Sequence, residues 1–234
     1  IFILVVLLGI SNGLENGMMA NYGSSLRNSV DIWTMWTSVP YKGLPKYRRL
    51  YFTEREAQAV KSLPEVERFS RIVNTYSDNL NIVFGDQSAS INVMGVEEDY
   101  YRIFKKDIQS GRFLNSLDDR EKVIVLDSRA VESLATTPDR ILGQFVRIGN
   151  INFRVIGICY NGDRWRGATV YIPVSTHKVI FSTDHRFDHM CVTMRSGTRN
   201  IEHLIKHTLA PLMQFDESDP EAVGVWSQEE AIEE

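Results

Sequence analysis

Ten apolar residues, Ile1 to Ile10, open the chain without a polar break. Crossing a bilayer core takes about 20 such residues, so the run falls short of a full span, and its length alone suits a signal-peptide core equally well. No basic segment precedes it and no small-x-small cleavage site follows it. Instead it passes into a proline-free polar stretch, Ser11 to Asn28. The pattern therefore predicts that residues 1–29 are the end of a transmembrane helix running into a stalk. Gly9, Gly13 and Gly17 recur every fourth residue there, followed by Asn21 and Ser25. Such a small-residue face lets helix backbones approach closely; the plainer alternative is a loosened linker.

From Val30 the period shortens to two, and Val30 to Ser38 reads as a strand. A loop punctuated by Pro40, Gly43 and Pro45 follows. Thr53 stands three residues before Glu56 as a capping box, opening a helix that Pro64 should stop at Leu63. Glu65 to Tyr76 is a second strand, so the opening unit is β-α-β. Asn81 to Phe84 and Ala89 to Val96 form a hairpin around Gly85 and Asp86, with Gly95 breaking its second strand. Glu97 to Lys105 reads as a short helix with an acidic start and basic end. Gly111, Arg112 and Phe113 lie in a loop, and Lys122 to Leu126 is a buried strand. Ser128 to Leu134 is helical, Gln144 to Ile148 and Asn152 to Tyr160 make a second hairpin, and Ala168 to Ile172 is a strand closed by Pro173. His189 to Met194, Thr198 to Leu212 and Ala222 to Trp226 repeat the β-α-β order, the helix carrying Ile201, Leu204, Ile205 and Leu209 on one face. Ser227 and Glu230 can cap a further helix.

Composition changes this picture little. The chain has 234 residues, 43% hydrophobic and 24% charged, enough for one large or two small domains with a proper core. A net charge of -4 offers no general attraction to nucleic acid, and Lys46, Arg48 and Arg49 with Tyr47 and Tyr51 are too few for a nucleic-acid patch. Cys159 and Cys191 sit in apolar strands, as buried thiols or, in an oxidising compartment, as a pair.

Candidate chemistry is thin. Neither phosphate-cradling glycine pattern occurs. His203 and His207, four apart on the last helix, are able to share a metal, but Leu204 stands where a metalloprotease needs Glu; His185 and His189 share the spacing with less support. Asp216, Glu217, Asp219 and Glu221 lack the EF-hand spacing and read as a solvated turn around Pro220. No GxSxG elbow is present. Trp165 between Arg164 and Arg166 suits an exposed protein-contact tip, or a loop whose ring folds back on the core. No catalytic, cofactor or metal residue emerges.

Taken in order, PYKGLPKYRRLYFTEREAQAVKSLPEVE, VMGVEEDYYRIFKKDIQSGRFLNSLDDREKVIVL, ILGQFVRIGNINFRVIGI, VYIPVST and FDESDPEAVGVWSQEE resemble the extracytoplasmic domain of MacB/FtsX-type ABC transporter permeases. The resemblance implies an α+β, two-lobed fold: a porter-like part of β-α-β units (30–96 and 186–234) bracketing an inserted Sabre-like α/β subdomain (97–185). TTPDR departs from the shorter turn usual there. Carried over as structural positions are Gly43, Pro45, Gly95, Gly111, Arg112, Gly143, Gly157 and Pro173. The resemblance further implies an inner-membrane protein with this domain on the periplasmic side, non-catalytic and without a cofactor. Its expected partners are an ABC ATPase subunit or domain, a second permease copy and a membrane-fusion adaptor. Two rival functions stay open: a peptide or lipid sensor with an aromatic-lined cleft, and a tethered metal-dependent hydrolase.

Overall fold

The computed structural model describes residues 28–75, 80–160, 167–181 and 186–227. In chain order they form β1 (Ser29–Thr34), α1 (Glu54–Lys61), β2 (Val66–Asn74), β3 (Asn81–Phe84), β4 (Gln87–Ser90), β5 (Asn92–Val96), α2 (Tyr100–Ile103) and β6 (Ile108–Gly111). There follow β7 (Val123–Asp127), α3 (Ser128–Ser133), α4 (Pro138–Ile141), β8 (Phe145–Ile148), β9 (Ile151–Cys159), β10 (Thr169–Pro173), α5 (Val174–Phe181), β11 (His189–Met194), α6 (Ile201–Met213) and β12 (Val223–Ser227). The strands make one sheet ordered β12-β1-β11-β2-β5-β10-β7-β9-β8-β3-β4, with β6 on β9.

The two β-α-β units interleave. Strand β11 lies between β1 and β2, and β12 lies outside β1, all four antiparallel to their neighbours. This is the split β-α-β arrangement, with the inserted chain joining β2 to β11. Alternation drives it: Val30 and Ile32 turn to the same core as Phe69, Met190 and Val192, where α1 supplies Ala57 and Val60 and α6 supplies Ile201, Ile205 and Leu209. Each of these Val, Ile, Leu, Phe and Met side chains, fully buried, contributes about 1.5–3 kcal/mol. At the start of α1 the Glu56 carboxylate accepts the Thr53 backbone N–H at 2.8 Å, as the capping box requires.

A second core gathers Val93 of β5, Ile124 and Leu126 of β7, Ala130 and Val131 of α3, and Phe153, Val155 and Ile158 of β9. A third joins the two, with Ile72, Met94, Tyr100, Phe113, Val125, Tyr171, Cys159 and Cys191. The lobes are thus marked by separate cores on one continuous sheet. Hairpin β3–β4, which the sequence groups with residues 30–96, puts Ile82 into the second core.

Several elements differ from expectation. The strand after Gly85 is two strands, and Gly95 does not break β5: it pairs with Ile172 and Val73. Gly111 closes strand β6 instead of lying in a loop. The helix after Glu97 is one turn. Pro173 leads straight into α5, whose sequence VSTHKVIF has no clean apolar stripe to announce it. Helix α6 begins at Ile201 because Asn200 is left-handed (φ 52°), and the Thr198 hydroxyl donates to the Arg195 carbonyl instead of capping.

Candidate functional site

Four of the motif positions form a knot where β6 meets β9. Gly111 pairs with Gly157 across the strands, and neither tolerates a side chain. A Cβ on Gly157 would lie 1.9 Å from the Arg112 carbonyl oxygen, and one on Gly111 2.3 Å from that of Ile156. Beside this close approach the Arg112 side chain grips Asp118 through its two terminal nitrogens, at 2.6 and 2.7 Å. Asp118 is 4% exposed. Burial pushes its carboxyl up, but the hydrogen bonds from Arg112 and the Asn115 N–H outweigh this and hold it below the usual carboxylate range. Gly143 sits alongside with φ 78°, its N–H donating to Val155. The pattern Asn115-x-x-Asp118 was a visible capping signal for this turn.

Gly95 makes a second tight contact. The His177 ring of α5 lies over it, so an added Cβ would come within 2.6 Å of the His177 Cβ. His177 is 2% exposed; its Nε2 meets the Thr75 hydroxyl at 2.7 Å, while Nδ1 has no partner among the described residues. Burial pushes its pKa down to about 4.

Between these contacts and α1 opens a cleft of about 440 Å³, lined by Lys61, Arg71, Glu97, Glu98, Asp99 and Lys178 with Phe69, Leu114 and Pro173. Arg71 of β2 bridges Glu97 and Glu54, and Lys178 of α5 reaches Glu54 at 3.5 Å. A chain of charges therefore stitches α1 to β5 and α5. Phe69 supplies the ring in this described lining, and Lys61 lies 5.9 Å over it.

Gly43 and Pro45 stand elsewhere, in the loop after β1. Lys42 (φ 45°) and Gly43 (φ 84°) are successive left-handed residues in a turn closed by mutual Tyr41 and Leu44 hydrogen bonds, the two-residue hairpin geometry that favours glycine second. Pro45 offers its carbonyl to Arg48 Nε at 3.2 Å. Asp219 anchors this loop. The expectation of a solvated turn is wrong for it, since it is 0% exposed and accepts the backbone N–H groups of Ser38, Val39 and Glu221 and the Ser38 hydroxyl.

His203 and His207 stack with rings 5.8 Å apart and both face Glu217, at 3.2 and 3.1 Å. Among the described residues no cluster of three or more His, Cys, Asp or Glu side chains is arranged to hold a metal ion. Cys159 and Cys191 are free and buried; burial pushes the Cys159 thiol up to about 12 and raises Cys191 as well, which keeps both unreactive. Gly9, Gly13 and Gly17, the loop of Arg164, Trp165 and Arg166, His185 and the helix after Ser227 lie outside the described residues.

What these contacts amount to is a set of close backbone joints, Gly111 on Gly157 and Gly95 under His177, and the ion bridge of Arg71 to Glu97. The family profile described as the MacB-like periplasmic core domain matches residues 1–202. The chain belongs to that family. Over 187 residues it is 26% identical to the macrolide export ATP-binding/permease protein MacB of Bartonella henselae, covering 76% of this chain and 27% of that protein. The MacB of Chlorobaculum tepidum is 30% identical over 131 residues, or 53% of this chain and 20% of that one. The chain thus spans about a quarter of the length of the curated relatives it matches. The periplasmic region of MacB from Actinobacillus actinomycetemcomitans shares the fold at a TM-score of 0.70 and 18% identity, over 89% of this chain and 92% of that one. The extracellular domain of the ABC-type transporter YknZ from Gram-positive bacteria does so at 0.64 and 20%, over 85% and 100%. No helix among the described residues of this MacB-like domain is long and apolar enough to cross a membrane.

Proposed function

We propose that this MacB-like domain is the extracytoplasmic part of an inner-membrane ABC permease and that it acts mechanically. One observation carries the proposal: β1 and β12 are neighbours, and Val30 pairs with Ser227. The described body is therefore joined to the rest of its chain at one end of one strand pair. Helices attached there would move the pair as a unit, and the interleaved sheet would carry the displacement to β5, β10 and the inserted lobe. Tilting of packed elements about a few joints is a recognised form of such transmission. An ATPase subunit or domain and a second permease copy are the partners this role calls for, with a membrane-fusion adaptor as a further candidate. The charged lining of the cleft, with Phe69 under Lys61, weighs against a sensor that grips its ligand with aromatic rings.

Placement is testable with a single cysteine. Leu117 is 85% exposed, whereas Cys159 and Cys191 are buried. In intact spheroplasts, Leu117→Cys should react with a membrane-impermeant maleimide. Labelling that appears only after lysis overturns the proposal.

A further inference from the structure

The loop of residues 36–51 combines features that the mechanical role does not use. It contains Lys42, Lys46, Arg48 and Arg49 and no acidic residue, in a chain whose net charge is -4. It also exposes large rings: Trp36 is 54%, Tyr47 64% and Tyr51 38% exposed. Both its ends spring from the same side of the sheet. Trp36 lies two residues beyond β1, and Phe52 pairs with Phe187, just before β11. That side is opposite to Ser29 and Ser227.

The loop is held rigid. Thr37 and Arg48 pair through the backbone, the Tyr47 N–H donates to Thr37 at 2.6 Å, and Arg48 reaches the Gln214 carbonyl. Lys42 and Tyr47 keep φ of 45° and 64°, left-handed conformations that are strained for a non-glycine residue. Strain of this kind persists where surrounding structure fixes it, and it clusters at functional surfaces.

The cations decide the partner's chemistry. Lys42 lies 5.0 Å over the Tyr41 ring, Lys46 4.7 Å over Tyr47, and Arg49 and Arg186 5.2 and 4.7 Å over Tyr51. Ring faces already covered by cations are poor platforms for sugar stacking. What they offer outward is positive charge beside apolar ring edges. Among the described residues Lys42 and Lys46 have no carboxylate partner, while Asp188 is taken by Arg49 and Asp219 by backbone N–H groups. We infer that residues 36–51 are a preorganised docking surface for an acidic, partly apolar segment of a partner protein. Tyr, Trp and Arg are the side chains that dominate such interfaces. The inference rests on the proposed membrane attachment only in that it sets this surface away from the bilayer.

The test uses the full-length protein in lipid nanodiscs without nucleotide and a labelled peptide of alternating glutamate and leucine, read by fluorescence anisotropy. Saturable binding is expected, weakening with salt and falling about ten-fold in Lys42→Glu/Lys46→Glu. The glutamine counterpart of the peptide should not bind. The milder pair Lys42→Ala/Lys46→Ala should weaken binding less, and neither pair should lower the melting temperature. Absent binding, equal binding by the substituted proteins, or tighter patch-dependent binding of polygalacturonate overturns the inference and leaves the mechanical role untouched. Patch-dependent binding of phosphatidylglycerol vesicles overturns the orientation as well.

Discussion

Gly157 and Gly143 both resist a side chain, for different reasons. At Gly157 the obstacle is the Arg112 carbonyl, 1.9 Å from where a Cβ would stand; at Gly143 nothing lies within 4 Å and only φ 78° excludes a side chain. Gly157→Ala should therefore cost about 3 kcal/mol as overpacking against backbone, and Gly143→Ala about 1–2 kcal/mol as left-handed strain, measured by urea denaturation. His177 supplies a pH dependence. The folded group binds a proton at about 4 against the ordinary 6.5, so between these values unfolding takes up a proton and stability falls as pH falls. Above pH 6.5 both states are neutral and the effect vanishes. The full loss is about 3 kcal/mol, and His177→Phe, which keeps a ring over Gly95, should flatten the acid limb of stability against pH. Nothing in the sequence VSTHKVIF marks His177 as buried, because the space that admits it is made by Gly95, more than 80 residues earlier.

Elements with a local signature were legible. The capping box of α1, the alternation of β1 and the paired hairpin strands β8 and β9 follow from neighbours in sequence. In sequence β4 and β5 look like one strand because their alternation is continuous; what divides them is pairing, β4 to β3 and β5 to β2 and β10. Asp219 departs from its local pattern for a similar reason. Its acidic surroundings suggest solvent, while its four donors come from the loop after β1 and from Glu221. Asp219→Asn keeps the shape but loses the charge that the N–H groups favour. It should cost about 1–3 kcal/mol and raise hydrogen exchange at Ser38 and Val39.

At the scale of the whole molecule, the lobes share a sheet and are stitched by Arg71. Its side chain is 15% exposed and that of Glu97 18%, so the pair is sheltered from solvent. Arg71→Met should destabilise by about 2 kcal/mol, and combined with Glu97→Gln the loss should be less than the sum, since each substitution removes the same contact. The bracketing of an insert by two β-α-β units was legible in sequence. Their interleaving was not, because strand order depends on long-range pairing that periodicity does not encode. That interleaving sets Val30 beside Ser227, and the mechanical account depends on it. The most direct measurement is electron-paramagnetic-resonance distance determination between spin labels at Val179→Cys, an 80% exposed site, in two copies of the full-length complex in nanodiscs. The account predicts that the distance distribution shifts between nucleotide-free and ATP-vanadate states, and that flexible glycine–serine inserts before Ser29 and after Ser227 abolish the shift while ATP hydrolysis continues. An unchanged distribution in the uninserted complex during hydrolysis would contradict it.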